Sequence, residues 1–286
     1  MPLITELKHR AKLARRTVHR ARQRIRFGQF DAPILFANSF PKSGTHLLTQ
    51  ILRAFSRFGP FVDSSLPAVV TFDGPTGRQR SPAEITTDLD RLLPGDIAYG
   101  HLHAVPEIVE VLCRDGIAPY FILRDPRDVV VSHVFYVTEL ETDHVHHDYY
   151  VSELKDFGER LMASILGRPE SSAPFPDIRA RFEPYIGWLA RPEVLLMRYE
   201  DFIQHPEDQL RRIFDHAVAR GFAFRSSWHE AKKILSAAVQ PHRSPTFREG
   251  KVGGWKEHFT EEHKRVFKEV AGDLLVSLGY EQGHGW

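Results

Sequence analysis

Short apolar runs bounded by turn residues alternate along this chain with longer stretches of helical periodicity. Residues 33 to 40, PILFANSF, have strand composition, and the amphipathic stretch 45 to 57 behind them predicts a helix. A short strand follows over Ile97 to Gly100, a helix over Val105 to Arg114, and a buried strand over Pro119 to Leu123. Asp125 is a good helix cap and Pro126 suits a first helical position, so Pro126 to Thr138 reads as a helix. Glu193 to Met197 predicts another buried strand, and residues 205 to 219 and 227 to 238 predict helices. A last helix over Glu261 to Leu278 sets Val266, Val270, Leu274 and Leu278 on one face. Strands alternating with helices predict an α/β fold: a central, mainly parallel sheet covered by helices on both sides. Ligands of such sheets sit beyond the carboxyl ends of the strands.

Charge changes this picture at one end. The 286-residue chain has a net charge of only +1, which argues against a nucleic-acid binder. Residues 1 to 27, however, hold nine Lys and Arg against the single acid Glu6, a local +8 that leaves the remainder at −7. Residues 4 to 27 read as a basic helix with Leu3, Leu7, Leu13, Val18 and Ile25 roughly along one side. We therefore expect residues 1–30 to form a basic helical extension and residues 31–286 one domain. A solvated helix docked on the domain is the plain expectation, and peripheral contact with an anionic membrane through residues 4–27 is the alternative. The single cysteine, Cys113, excludes an intrachain disulfide and a cysteine-based zinc site. No apolar run reaches the roughly 18 residues of a membrane span, and the basic start lacks the apolar core of a signal peptide. The location expected from these features is cytoplasmic, with peripheral membrane contact left open.

Four stretches carry candidate chemistry. In FANSFPKSGTHLLTQIL, residues 36 to 52, a strand breaks at Pro41 and a helix begins after Lys42, Ser43, Gly44 and Thr45. A helix start binds anions through its unpaired N–H groups, Gly44 allows close backbone approach, and Lys42 adds a mobile charge. The first glycine of the nucleotide-triphosphatase loop is missing. In YFILRDPRDVVVSHVFY, residues 120 to 136, Arg124 ends a strand and Ser132 lies two turns into the next helix, a pair able to clamp a further phosphate. A capping ion pair of Arg124 with Asp125 or Asp128 is the structural alternative. In AYGHLHAVPEIV, residues 98 to 109, His101 and His103 follow a strand end, where an imidazole can serve as general base. In FREGKVGGWKEHFT, residues 247 to 260, three glycines with Arg248, Lys251 and Lys256 suggest an anion-binding lid.

In this order and spacing the four stretches resemble the cytosolic sulfotransferase family, over residues 34 to about 260. Pro41-Lys42-Ser43-Gly44-Thr45-His46-Leu47 is similar to its 5′-phosphosulfate loop, and Arg124 with Ser132 to its 3′-phosphate motif. The late glycine motif is matched by Arg248, Gly250, Gly253, Trp255, Lys256, Phe259 and Thr260, and a strand-end tyrosine by Tyr199. The resemblance implies a fold built like a nucleotide kinase and transfer of a sulfuryl group from 3′-phosphoadenosine-5′-phosphosulfate (PAPS) to a hydroxyl or amine, without a metal. It implies His101 and Lys42 as catalytic residues, His101 being the positional match and His103 its rival. It implies a donor site of Lys42, Ser43, Gly44, Thr45, His46, Arg124, Ser132, Tyr199, Arg248 and Gly250.

The chain departs from the family pattern in places. Leu47 stands where a tryptophan often packs on adenine, Tyr99 where many members have a lysine, and Glu249 where a lysine is common. The family's dimerisation motif is only half present, through Lys256 and Thr260, so the oligomeric state stays open. The spacing of His144, His146 and His147 fits no standard zinc site, and the stretch 142 to 150 is expected as a polar, flexible lid on the acceptor side. The acceptor is expected to be a small molecule, a lipid or a glycan. The competing functions are a kinase of the P-loop type and a non-enzymatic binder of anionic surfaces through the basic helix.

Overall fold

Two strands with every residue buried form the middle of the sheet: β1 (Ile34–Ser39) and β5 (Ile117–Leu123). A strand buried on both faces needs apolar cover on both, which suits a parallel sheet inside helical layers. The computed structural model describes residues 2–28, 32–74, 76–170, 175–240 and 250–286, and side chains from residue 12 onward. Arg248 and Glu249 therefore lie outside the described residues.

All the strand pairings are parallel. β1 lies between β4 (Asp96–His101) and β5, in registers that set Leu35 beside Ile97 and Phe36 beside Pro119. Beyond β5 comes β6 (Leu195–Arg198); beyond β4 come two very short strands, β2 (Val62–Asp63) and β3 (Val69–Val70). The chain leaves β1 toward the β4 edge and later crosses to β5 on the other side. That reversal opens a crevice over the carboxyl end of β1.

Alternation along the strands sorts two cores. Ile34, Phe36, Ile117 and Phe121 face one side, with α4 (Pro106–Cys113), α5 (Pro126–Phe135), α6 (Phe157–Leu166), α7 (Ile178–Ile186) and α11 (Glu261–Ser277). Leu35, Ala37, Tyr120 and Ile122 face the other, with α2 (Thr45–Ala54), α9 (Pro206–Ala219) and α10 (Trp228–Ala238). The result is the three-layer α/β architecture expected from the sequence.

Several details differ from the sequence expectation. The helix expected over 126 to 138 keeps α-helical winding only to Phe135 and widens into a looser turn over Tyr136–Leu140. The strand expected from Pro119 begins at Ile117, and that expected over 193 to 197 runs instead from Leu195 to Arg198. α3 (Pro82–Leu89) and α8 (Tyr199–Gln204) were not apparent from the sequence; nor were α6 and α7. The stretch 142 to 150 is not a free polar lid: His146 is 6% and Tyr150 1% exposed. His133, His144 and His146 pack there edge-on or tilted against one another and against Tyr136, Tyr150 and Phe175, and His133 stacks on Phe175 at 4.6 Å.

The basic helix is present as α1 (Pro2–Phe27). Asp96, fully buried at the start of β4, pairs with Arg16 and with Arg20 (3.0 Å). Leu13 turns toward this docked side and does not share a face with Val18 and Ile25, because residues five and twelve apart fall on different sides at about 100° per residue. No described helix is long and apolar enough to cross a membrane.

Candidate active site

The crevice over β1 is a cleft of about 560 Å³. Lys42, Gly44, Thr45, His46, His101, Arg124, Ser132, Tyr199 and Gly250 all line it. One site thus gathers residues from five separate stretches of sequence.

The loop from β1 to α2 makes the floor. Gly44 takes the left-handed backbone (φ 101°) that starts α2, and no side chain caps the helix, so its first N–H groups are left for an anion. A Cβ on Gly44 would come within 2.8 Å of the Tyr199 ring, so the loop can sit this close to α8 only as glycine. Lys42 also has positive φ (68°), rare for a side-chain-bearing residue. The Ser43 hydroxyl is buried with no partner in the protein. A buried hydroxyl without a hydrogen bond costs about 1–3 kcal/mol, and a bound anionic oxygen would remove that cost.

Lys42 is mostly desolvated. Its ammonium lies 3.6 Å from the centre of the Tyr136 ring, a cation–π contact. Burial pushes its pKa down to about 7, the nearby Arg124 charge pushes the same way, and Glu141 opposes both. Such a lysine has little reason to stay charged until an anion reaches it.

Arg124 stands at the end of β5. Its guanidinium lies over the Tyr199 ring at 4.7 Å, donates to the Lys251 carbonyl at 2.7 Å and approaches Asp128 at 3.4 Å, while its Nε is buried without a partner. Both sequence readings of this residue therefore meet: it joins an ion pair and still faces the cleft with a free donor. Asp128 matters more than its place in the sequence suggested. Its two oxygens accept from the N–H groups of Gly253 (2.8 Å) and Trp255 (2.8 Å), tying the glycine-rich loop to the start of α5.

His101 closes β4. Gly100 before it leaves room for β3, since a Cβ there would meet the Val69 carbonyl at 2.1 Å. Asn38, buried in β1, grips the next residue twice: it accepts from the Leu102 N–H (2.8 Å) and donates to the Leu102 carbonyl (3.1 Å). The His101 Nδ1 lies 3.0 Å from the Ser39 carbonyl and 3.1 Å from the Ser39 hydroxyl. A carbonyl only accepts, so Nδ1 carries the proton and Nε2 is the bare, basic nitrogen. Burial lowers the His101 pKa, the Ser39 carbonyl opposes, and the His46 and Lys42 charges add to the lowering, so the ring is neutral at pH 7. His103 is elsewhere. Its ring packs edge-on to Tyr185 (4.9 Å) and Phe72 (5.5 Å), outside the cleft lining, and burial lowers its pKa to about 4.

The cleft has two unlike ends. Leu47, Phe202, Ile203, Pro206, Leu210 and Val239 make an apolar slot beside the loop, and Leu47 shares it with residues from α8 and α9. Val70, Phe72, Tyr136, His144 and Tyr185 make a second, largely aromatic part of the lining that includes His101, while Tyr99 packs on the same side of the sheet as Leu47.

The sulfotransferase domain model matches residues 120–279, more than half of the chain. This chain belongs to the sulfotransferase domain family. The sulfotransferase is 25% identical to flavonol 3-sulfotransferase of Flaveria bidentis over 261 residues, 86% of this chain and 82% of that protein. Its fold is shared by mouse sulfotransferase SULT7A1 complexed with PAP, with a TM-score of 0.53 at 19% identity, covering 91% of this chain and 89% of that one. Retinol dehydratase in complex with androsterone and inactive cofactor PAP has a TM-score of 0.55 at 17% identity, covering 84% and 80%. Among the described residues of this sulfotransferase, no group of His, Cys, Asp or Glu is set to hold a metal ion.

The sequence did not point to Tyr136, Asp128 or Tyr185 as site residues. Asn38 and Ser39 left the one usable signal, two polar residues closing an otherwise apolar strand.

Proposed function

We propose that this sulfotransferase moves a sulfuryl group from PAPS to an acceptor hydroxyl or amine, leaving adenosine 3′,5′-bisphosphate. The observation that carries the reading is that His101, with Nε2 bare, opens onto the same cleft as an anion loop whose Ser43 hydroxyl lacks a partner. Relatives bound to PAP support the donor. Its fit to the residues present is supported by two orphaned buried donors: Arg124 Nε, on a residue that lines the cleft, and Ser43 Oγ, in the loop between the lining residues Lys42 and Gly44. We read residues 31–286 as the domain that carries the site and α1 as an extension of it.

The donor supplies an activated sulfuryl group, and this chain does the rest. Lys42, Ser43, Gly44, Thr45 and His46 hold the 5′ end, and Lys42 with the α2 N–H groups faces the bridging oxygen on which charge builds. Arg124, Ser132 and Gly250 hold the 3′-phosphate, with Arg248 as a proposed further contact outside the described residues. Tyr199 supports Arg124 from beneath, and the slot around Leu47 takes the base. His101 Nε2 accepts the acceptor's proton. The imidazolium that forms keeps its Nδ1–H on the Ser39 carbonyl, which stabilises its charge. The aromatic part of the lining favours a small-molecule acceptor with a flat apolar body, in keeping with the flavonol relative; lipid and glycan acceptors fit it less well. The kinase alternative fails at the loop, which lacks the first glycine of the triphosphate cradle.

The test is His101→Ala assayed two ways. Turnover of PAPS with a panel of phenols, including a flavonol, is expected to fall about 10²–10⁴-fold while bisphosphate affinity stays within a few fold. Loss of both, or of neither, would remove His101 from the role of base.

A further inference from the structure

The outward side of α1 carries a pattern that the cleft does not use. The helix is held to the domain along one face only. Arg16 and Arg20 reach Asp96, Arg16 also donates to the Arg91 carbonyl (3.2 Å), and Gln23 donates to the Ser56 carbonyl (2.8 Å). At about 100° per residue these three side chains fall within about 60° of one another. The opposite side presents Ala14, Val18, Ala21 and Ile25, spaced so that they too share about 60° of the helix. All four are exposed, Val18 by 50% and Ile25 by 86%. Arg15, Arg22 and Arg26 run exposed along one border of this ridge and Arg24 along the other. From Leu7 to Phe30 the sequence contains no carboxylate, so Arg15, Arg22, Arg24 and Arg26 have no acid to pair with in that stretch, and Arg26 rests over the Phe27 ring at 4.8 Å.

We propose that this face of α1 docks on an anionic lipid surface. Charge complementarity and the ridge argue together. A helix lying in a membrane interface needs an apolar stripe to enter the acyl boundary and cations beside it to meet the headgroups, and both are present in register. A nucleic-acid backbone would use the cations but gives an exposed isoleucine ridge nothing to bury against. The ridge also faces away from the contacts that fix the helix, so docking on lipid needs no rearrangement of Arg16, Arg20 or Asp96. Because α1 meets the sheet at the start of β4, while the cleft lies at the carboxyl ends of the strands, the bound enzyme keeps its cleft away from the contact. The membrane is thus a place of attachment rather than a source of acceptor. The inference stands whether or not the donor reading holds.

The experiment is flotation of the full chain with vesicles of phosphatidylcholine alone and of phosphatidylcholine with phosphatidylserine, at low and high salt. Two double variants go beside it: Val18→Asp with Ile25→Asp, and Arg15→Gln with Arg22→Gln. The wild type is expected to float with the anionic vesicles at low salt and to be released by high salt. Each double variant is expected to fall to the level seen with neutral vesicles, with its circular dichroism and bisphosphate binding unchanged. No flotation of the wild type at low salt, equal flotation on both vesicles, or variants that float like the wild type would overturn the proposal. So would salt-sensitive self-association in light scattering that the variants abolish, which would make the acidic remainder of a second copy the occupant. Duplex DNA binding that matches vesicle binding and depends on the arginines but not the ridge would overturn it as well.

Discussion

Two residues of the Pro41 to Leu47 loop make the proposed anion site measurable. Burial lowers the Lys42 pKa to about 7, well below its ordinary 10.5. A bound phosphosulfate or bisphosphate raises it, because an opposite charge favours the ammonium. The contribution of Lys42 to affinity is therefore complete below about pH 7 and is lost as pH climbs toward the bound-state value. Affinity for the bisphosphate should fall by up to about tenfold per pH unit above pH 7, where the ligand's own phosphates no longer titrate. Calorimetry in buffers of different ionisation enthalpy should show proton uptake over that range, and Lys42→Met should flatten the slope; a flat wild-type profile would contradict the desolvated lysine. Ser43 gives the second test. Its hydroxyl is buried and unpaired, so Ser43→Ala should leave the melting temperature unchanged or higher. The same change should weaken bisphosphate binding by about 1.5–3 kcal/mol, the worth of a hydrogen bond to a charged group. Thermal melts beside titrations decide it, and a loss of stability would mean that the hydroxyl has a structural partner. The residues of the Pro41 to Leu47 loop were legible in the sequence because their chemistry is local. Tyr136 was not: nothing near it in the chain says that a lysine 94 positions earlier will rest on its ring.

Between elements, the glycine-rich loop depends on partners far away in the chain. Asp128 at the start of α5 holds the Gly253 and Trp255 N–H groups, and the Arg127 guanidinium beside it lies between the rings of Trp255 (4.2 Å) and Trp286 (4.5 Å). Glu281 accepts from Arg127 at 2.6 Å, so the last residues brace the loop from behind. Asp128→Ala frees two N–H groups and loosens the wall beside Arg124. If the loop binds the donor as proposed and does not touch the proton that moves, the change should raise the KM for PAPS about tenfold or more, with kcat changed far less. Steady-state kinetics with varied donor would check this, and an equal fall in kcat would place the loop in the chemical step. The sequence showed three glycines and three cations but not what holds them, because these hydrogen bonds join residues more than 100 positions apart. Short elements were hidden for a different reason. β2 and β3 have two residues each, too few for any periodicity to show. The wider winding over Tyr136–Leu140 was hidden as well, because the apolar pattern of α5 runs on through it.

At the scale of the whole molecule, the parallel sheet was readable because β1 and β5 are buried on both faces and so appear as unbroken apolar runs. How α1 joins it was not readable, since nine similar cations gave no hint that Arg16 and Arg20 would find the fully buried carboxylate of Asp96. That junction carries its own prediction. Asp96→Ala strands a buried guanidinium and should cost about 3 kcal/mol in urea unfolding, the low end for a broken buried pair. A loss below about 1 kcal/mol would mean that α1 detaches without the domain noticing. Three of the four motifs come together because the sheet brings the carboxyl ends of β1, β4 and β5 to one crevice, and Asp128 ties the fourth to it through Gly253 and Trp255. The central claim is that this crevice is built for a 3′-phosphorylated adenosine donor. Its most direct test is calorimetric titration of the full chain with adenosine 3′,5′-bisphosphate, beside ADP and ATP with Mg²⁺. Tight, metal-independent binding of the bisphosphate with ADP far weaker is the predicted result. Equal binding of all three, or a preference for magnesium ATP, would contradict it.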